Sequence, residues 1–391
     1  MAKFKMERIL MLKVYLRKFL NILNFLELSI LFIFLTDKKK ESGTKKLLLI
    51  RLDSIGDYVL FRNFIKEVKE DNNFKGYKIT LAGNVLWKNM AEFLDKDYID
   101  QFIWIQRDRF YSNPFYKFQI LKFINSSGFD IVINPIFTRG ILFDDTLVKA
   151  SIADNKVGSE GAPDKALRWK RRLLSDSYYT RLIPASEENL FEFYRNKEFF
   201  NNLLNKNIQL SGPHIEAETI NYDIPYNKYL VIFPGAYNRG RRWGANNFIS
   251  ITKYILSNYS YDVLICGSLQ DEHESVKIFK ESRSEKVHDY TGRTSLLELI
   301  KILSGAELLI ANDTSAIHIS AALQKQFICI SNGNHIGRFN PYPPEIFDKG
   351  YFVYPDEISE KDKNKLRFGS SININKIKPE RIINIMKNLL P

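Results

Sequence analysis

Residues 47–61 read LLLIRLDSIGDYVLF: an apolar run, a sharp polar turn, then an apolar run again. KLLLIRL reads as a strand. From Asp57 to about Glu70 the spacing changes, with Val59, Leu60, Phe64, Ile65 and Val68 on one side, and predicts a helix. Asp53 and Asp57 flank Ile55-Gly56 at the turn between them. A strand that ends in such a turn and opens a helix lies where open α/β sheets bind ligands. Gly56 lets the backbone turn tightly or approach a ligand closely. There is no G-x-G-x-x-G fingerprint and no Walker lysine, so a dinucleotide or ATP cradle is not indicated. Two readings of Asp57 stand: capping of the helix start, and a general base. Asp53 reads as a structural partner of the turn.

The alternation continues along the chain. YKITLAG, QFIWI and FDIVINPI read as strands, and the stretches Trp87 to Leu94 and FYKFQILKFINSS as helices. Such βαβ units imply a parallel sheet. A long polar stretch from Ser159 to Pro184 contains the basic LRWKRRLL. A helix, ENLFEFYRNKEFFNNLL, then leads into the turn-rich linker NIQLSGPHIEAETINYDIPYN. Beyond it the pattern begins afresh with KYLVIFPG, NNFISITKYILSN, YDVLICGS, a helix to Ser282 and VHDYTG. SLLELIKILSG, ELLIAN, a helix from Thr314 and QFICISNG complete it. The fold class is α/β, with Rossmann-like domains over 45–208 and 225–391 whose parallel sheets face each other across a cleft. Residues 1–44 stand apart as a basic, apolar N-terminal segment and linker.

The chain has 391 residues, 45% hydrophobic and 26% charged, which is globular and excludes intrinsic disorder. Its formal net charge of +12 suits an acidic partner. No aromatic RNP-type motif and no helix-turn-helix signal accompanies that charge, so nucleic acid is not the expected partner. Cys266 and Cys329 each sit in an apolar run and read as buried, reduced thiols. That favours a cytoplasmic compartment. No H-E-x-x-H or C-x-x-C spacing argues for a metal. At the N-terminus, MAKFKMERILMLKVYLRKFL and NILNFLELSILFIFL precede a charged linker. The apolar stretch Phe19 to Leu35 is interrupted by Asn21, Asn24 and Glu27 and lies at the short edge of what spans a bilayer. It reads as an interfacial anchor on the inner face of a membrane. A short spanning helix and a helix packed on its own protein are the alternatives.

Three further turns carry candidate chemistry. FPGAYNRGRRWGANNF, 233–248, follows a strand and sets Arg239, Arg241 and Arg242 among glycines. Arginine forks bind phosphate oxygens bidentately where glycine allows close approach. In LLIANDTSAIHISAAL, 308–323, a strand stops at Asn312 and a helix begins with Asp313, Thr314 and Ser315. Free backbone N–H groups at a helix start make an anion site, and His318 lies one turn in. Asp313 as a plain N-cap and His318 as a packed core residue are the bland readings. In CGSLQDEHE, Asp271, Glu272 or Glu274 could accept from ribose hydroxyls, or simply begin an acidic helix.

Together, IRLDSIGDYVLF, the FPG…RRW block and ANDTSAIHISAAL resemble glycosyltransferase family 9, the family of the ADP-heptose:lipopolysaccharide heptosyltransferases, over roughly residues 45 to 345. The resemblance implies a GT-B fold and inverting transfer of a sugar, without metal or other cofactor. The donor would be a nucleotide-diphosphate sugar, ADP-linked, and the acceptor a lipid-linked saccharide. It assigns Asp57 as the base and Arg242, where lysine is common, to the donor phosphates, with Arg239 and Arg241 beside it. Asp313, Thr314 and Ser315 would hold donor phosphate or ribose, and His318 would join the nucleoside side. Either Asp271 or Glu272 would hold the ribose. On the acceptor side stand Gly56 and Arg139, the latter at the end of FDIVINPIFTRG. The basic run Arg168 to Arg172 and the N-terminal segment suit an anionic membrane surface. A nucleotide-sugar epimerase on the same fold and a non-catalytic basic binding protein are the rival readings.

Overall fold

The computed structural model describes residues 2–35, 43–359 and 362–391; residues 36–42 of the charged linker lie outside them. One sheet contains β1 (Lys46–Arg51), β2 (Lys78–Asn84), β3 (Gln101–Ile105), β4 (Ile131–Asn134), β5 (Asn155–Ser159) and β6 (Arg181–Ile183). The other contains β7 (Tyr229–Phe233), β8 (Asp262–Ile265), β9 (Val287–Asp289), β10 (Leu308–Asn312), β11 (Phe327–Ile330) and β12 (Gly350–Val353). Their orders are β3-β2-β1-β4-β5-β6 and β12-β11-β10-β7-β8-β9, and every pairing is parallel. Counted from its own first strand, each sheet therefore runs 3-2-1-4-5-6, the doubly wound order with its switch point between strands 1 and 4. This is the two-domain α/β architecture expected from the alternation.

Those switch points locate the motifs. In the first lobe the ends of β1 and β4 carry LDSIGD and PIFTRG; in the second the ends of β7 and β10 carry PGAYNRGRRW and DTS. All four turns thus leave the carboxyl ends of the two strand pairs at which the order reverses.

Side chains that alternate with period 2 give each sheet two buried faces. Leu47 and Leu49 enter a core shared by both lobes, and Leu48 and Ile50 enter the outer core of the first. In β7, Val231 and Phe233 enter the shared core, and Leu230 and Ile232 the outer core of the second lobe. No helix or strand lies between Leu204 and Tyr229.

Several elements depart from the sequence expectation. Asp57 to Glu70 is not one helix but two, Ile55–Val59 and Asn63–Lys69. The join keeps right-handed backbone at Leu60 and Arg62, but its bonds skip three residues, as in Phe61 N–H to the Tyr58 carbonyl and Phe64 N–H to that of Phe61. That tightens the coil and breaks the α-helical ladder. The polar stretch from Ser159 to Pro184 holds the helix Lys165–Leu174 and the strand β6. β6 is three residues long and β12 has the pattern GYFV, too little for a period to show.

The N-terminal helix runs Ala2–Ile33. Among the described residues no helix is long and apolar enough to cross a membrane. Its C-terminal part rests on the first lobe, where the buried Lys117 ammonium donates to Glu27 Oε1 at 2.8 Å and Asn24 Oδ1 at 3.0 Å.

Leu49 is fully buried in the core that both lobes share. Leu49→Ala should therefore cost about 2–5 kcal/mol in denaturant unfolding; a cost well under 1 kcal/mol would mean that the shared core collapses around the gap.

Candidate functional site

The first-lobe turn is organised by Arg51, the last residue of β1, which has no exposed surface. A guanidinium in that position must have partners, because an unpaired buried charge is expensive. Its Nε pairs with Asp53 Oδ2 at 3.2 Å and its Nη2 with Glu192 Oε1 at 3.3 Å. Nη1 donates to Asn196 Oδ1 at 3.2 Å and Nη2 to the Asp57 carbonyl at 3.3 Å. Asp53 is thus a structural partner of the turn. Its carbonyl also accepts from Asn84 Nδ2 and Trp87 Nε1.

Glu192 continues the chain of charges into the second lobe. Its Oε2 accepts from Arg338 Nε at 2.8 Å, and its backbone N–H donates to the Arg338 carbonyl at 2.8 Å. Burial would raise its pKa, but Arg338 and Arg51 together hold it below the usual glutamate range. Asp57 sits against this array. Its Oδ2 accepts from the Ser54 N–H at 3.2 Å, so it caps its own helix start, and part of its surface stays open. Burial is the main cause that lifts its carboxyl from 3.8 to about 7, helped by Asp53 and Glu192 and opposed by Arg51 and Arg338. Capping and proton exchange near neutral pH therefore coexist in one side chain.

Gly56 is fixed by the other lobe. A Cβ there would lie 2.6 Å from His318 Cδ2. His318, in the helix Ser315–Ala322, is 5% exposed and its Nδ1 lies 2.9 Å from the Tyr342 hydroxyl. Burial lowers its pKa to about 4, so the ring is neutral at pH 7. Its place is between the lobes, against Gly56.

Arg139 also departs from expectation. It is 5% exposed, pairs with Asp176 at 2.6 Å and Asp145 at 3.5 Å, and lies 4.6 Å from the centre of the Tyr179 ring. Its charge is met inside the first lobe by Asp145 and Asp176. Asp144, at the start of the next helix, was not singled out by the sequence. Burial, then Asp53 and Asp145, raise its carboxyl well above the aspartate range, and it accepts from the Gly140 N–H. Two adjacent carboxylates after the TRG turn of a switch-point strand were a legible signal. Arg51, Glu192 and Arg338 gave none, because the last two lie far from the turn in sequence.

In the second lobe, Asn312 ties the ends of β7 and β10 together. Its Nδ2 donates to the Pro234 carbonyl at 2.6 Å and its Oδ1 accepts from the Trp243 N–H at 3.2 Å. The three arginines then separate. Arg242 pairs with Asp271 Oδ1 and Glu274 Oε1, each at 2.9 Å, and donates to the Ala236 carbonyl. Asp271 is buried, accepts from Ser268, and lies where a Cβ on Gly235 would be 2.2 Å from its Cγ. Glu272 is exposed. Arg239 lines a cavity of about 820 Å³ with Asn246, Asn247, His273, Glu274 and Lys277, beside Arg242.

Arg241 faces the other way, toward Asp313 at the end of β10. Burial raises Asp313 to about 6, while the positive charge of Arg241 and a hydrogen bond from Ser331 pull it down. The Arg241 Nε is buried without a hydrogen-bond partner in the protein. Thr314 is the N-cap of Ser315–Ala322, and both it and Ser315 are half-buried. One cationic group with a spare donor and one helix start thus lie on the same side of the second lobe, a fit for an oxyanion. Among the described residues no group of His, Cys, Asp and Glu is placed to hold a metal ion. Cys266 and Cys329 are buried free thiols.

Two outcomes follow from this geometry. Gly56→Ala should destabilise the chain by about 1–3 kcal/mol, the usual cost of overpacking; unchanged melting would mean that the His318 ring swings aside. Because folding raises Asp57 from 3.8 to about 7, the folded state holds that proton more tightly, and stability is lost as pH rises through this window. Asp57→Asn should melt higher than the parent at about pH 8, with the advantage fading toward about pH 4; a constant difference across that range would contradict the assignment.

The model of glycosyltransferase family 9 (heptosyltransferase) matches residues 165–348. Lipooligosaccharide heptosyltransferase 2 of Campylobacter jejuni is 26% identical over 171 residues, 42% of this chain and 51% of the relative. Lipooligosaccharide heptosyltransferase 2 of Haemophilus influenzae is 23% identical over 165 residues, 40% of this chain and 46% of the relative. The chain thus spans about half the length of these curated relatives. Among solved structures, a family 9 glycosyl transferase from Veillonella parvula superposes with a TM-score of 0.66 at 18% identity, over 88% of this chain and 97% of its own. An E. coli heptosyltransferase with ADP-2-deoxy-2-fluoro heptose gives 0.66 at 13% identity, over 88% and 99%. By sequence match over residues 165–348 and by overall fold, the chain is similar to the heptosyltransferases of glycosyltransferase family 9.

Proposed function

We propose that the chain transfers a sugar, a heptose or a close relative, from a nucleotide-diphosphate donor to a lipid-linked saccharide of the lipopolysaccharide type. The reaction proceeds with inversion and without metal at the inner face of the cytoplasmic membrane. The observation that carries this reading is the Asp57 carboxyl, poised at about 7 beside the turn where the two lobes meet. A base works best when its pKa lies near the operating pH.

In this reaction the acceptor hydroxyl attacks the anomeric carbon and gives its proton to Asp57. The new C–O bond forms as the bond to the donor's β-phosphate oxygen breaks, and the nucleoside diphosphate leaves with one more negative charge. Arg241, with its buried unpartnered Nε, and the helix start at Thr314 and Ser315 meet that charge. Fixed donors aimed at a developing oxyanion are a large catalytic term. Arg242, already held by Asp271 and Glu274, acts as a positioning residue that keeps the glycine-rich loop in shape. Donor base and ribose then fall to the Asp271 side. An ADP-linked donor is the first choice, since an E. coli structural neighbour carries an ADP-heptose analogue.

Thermal unfolding against ADP, UDP, GDP and CMP tests the donor half. A ligand at about 100 times its dissociation constant should add about 2.7 kcal/mol of stability. ADP should stabilise most. Arg241→Ala should weaken that binding by about 10- to 100-fold, the loss of a charge-assisted hydrogen bond, and leave the unliganded melting temperature near the parent's. Arg242→Ala should lower the unliganded melting temperature itself. Asp57→Asn should reduce transfer by about 10²- to 10⁴-fold with ADP binding intact. Near-normal transfer by that variant would remove the base assignment, and a free epimerised sugar nucleotide would replace transfer with epimerisation.

A further inference from the structure

Over its described side chains, the N-terminal helix docks on the first lobe along one stripe. Asn24, Glu27, Leu28 and Phe32 follow the spacing of one helix face; Asn24 and Glu27 accept from Lys117, Leu28 is buried, and the Lys149 ammonium lies 4.3 Å from the centre of the Phe32 ring. Six other apolar residues of the described part of the helix face away from the body of the protein. Leu16, Phe19, Leu20, Ile22, Leu26 and Ile30 are all exposed, Ile22 by 59%.

A second helix, Lys165–Leu174, is folded inside out. Its basic Arg171 is 2% exposed and donates to the Ala162 carbonyl, while Arg168 pairs with Glu160 and Glu187. Leu167, Trp169 and Leu173 face outward, 49, 57 and 69% exposed. Trp169 and Leu173 are one turn apart and share a face. Lys170 and Arg172, also exposed, stand beside them. The charge that looked free in the sequence is partly consumed within the lobe, and the apolar half is what the helix displays.

The two helices approach each other through Lys149 of a third element. The Lys149 ammonium that covers Phe32 also lies 5.0 Å from the centre of the Tyr178 ring, and Tyr178 ends the turn Asp176–Tyr178 that follows Lys165–Leu174. Leucine and tryptophan backed by lysine and arginine are the chemistry of a helix lying in the headgroup layer of an anionic bilayer. The sequence before Phe19 adds Lys3, Lys5, Arg8, Lys13, Arg17 and Lys18 against the single acid Glu7.

We propose that these two helices form one docking surface for an anionic phospholipid bilayer, with the N-terminal helix lying in the interface and Trp169 and Leu173 inserted beside it. The surface belongs to the lobe that carries Asp57, so it would hold that lobe against the membrane. The inference deepens the lipid-linked acceptor proposed above and rests on it only for its biological purpose.

The test is co-sedimentation of the full chain with vesicles of phosphatidylcholine alone or of phosphatidylcholine with phosphatidylglycerol, without donor or acceptor. The parent should bind the phosphatidylglycerol vesicles about tenfold or more better, and salt should weaken the difference. Trp169→Ser with Leu173→Ser, and separately Phe19→Ser with Ile22→Ser, should each lower binding about tenfold, with melting temperatures unchanged because all four side chains are exposed. Vesicle binding that equals the parent's in both pairs, or no binding by the parent, would overturn the proposal. So would concentration-dependent self-association abolished by the same substitutions, since a second copy would then own the surface. A chain that binds these vesicles but transfers no sugar keeps this surface and loses the reading above.

Discussion

A positive charge with no access to water sits at the end of the first strand, and the arrangement around the cleft follows from it. Arg51 can stay ionised there only if carboxylates surround it, so Asp53 and Glu192 are drawn in. Glu192, shared with Arg338, then carries the constraint from one lobe to the other. A buried ion pair of this kind is weak as a source of net stability but costly to break from one side. Its value here is geometric. It fixes the backbone carbonyl of Asp57 and surrounds the Asp57 carboxyl with two negative and two positive neighbours.

The opposing signs decide what Asp57 can do. Loss of hydration dominates and raises the carboxyl; Asp53 and Glu192 push the same way, and the two arginines oppose them. Arg338 arrives from the second lobe, so part of that balance depends on the lobes being together. The proton affinity of Asp57 is thus tied to the approach of the two lobes.

The sequence disclosed the architecture because long apolar runs alternate with helical spacing, and every such run from KLLLIRL to QFICISNG is a strand. It failed where the signal is short, as at the three residues of β6, or where a helix tightens between Leu60 and Arg62. The turns of the candidate site were legible because strand-end glycines and carboxylates are local features. Partnership was not. Nothing in the residues around Arg139 shows that Asp145, Asp176 and Tyr179 enclose it, and nothing near Arg241 or Arg242 shows that the first faces Asp313 while the second pairs with Asp271 and Glu274. Such facts depend on which distant segments the sheet order brings together. The basic run after Ser159 misled for the same reason: Arg171 is buried and Arg168 is paired with Glu160 and Glu187.

The close approach of Gly56 to His318 has a mechanical meaning. Where two bodies touch with no room for a methyl group, they can roll about the contact but cannot press nearer. Widening at that point would also have to part the shared core and the Glu192–Arg338 pair, so movement there would be small. Asp57 is next in sequence to this contact, so it would be displaced less than the distant rim. Large ligands could enter and leave at the rim while the charged surroundings of Asp57 are rebuilt by only small movements.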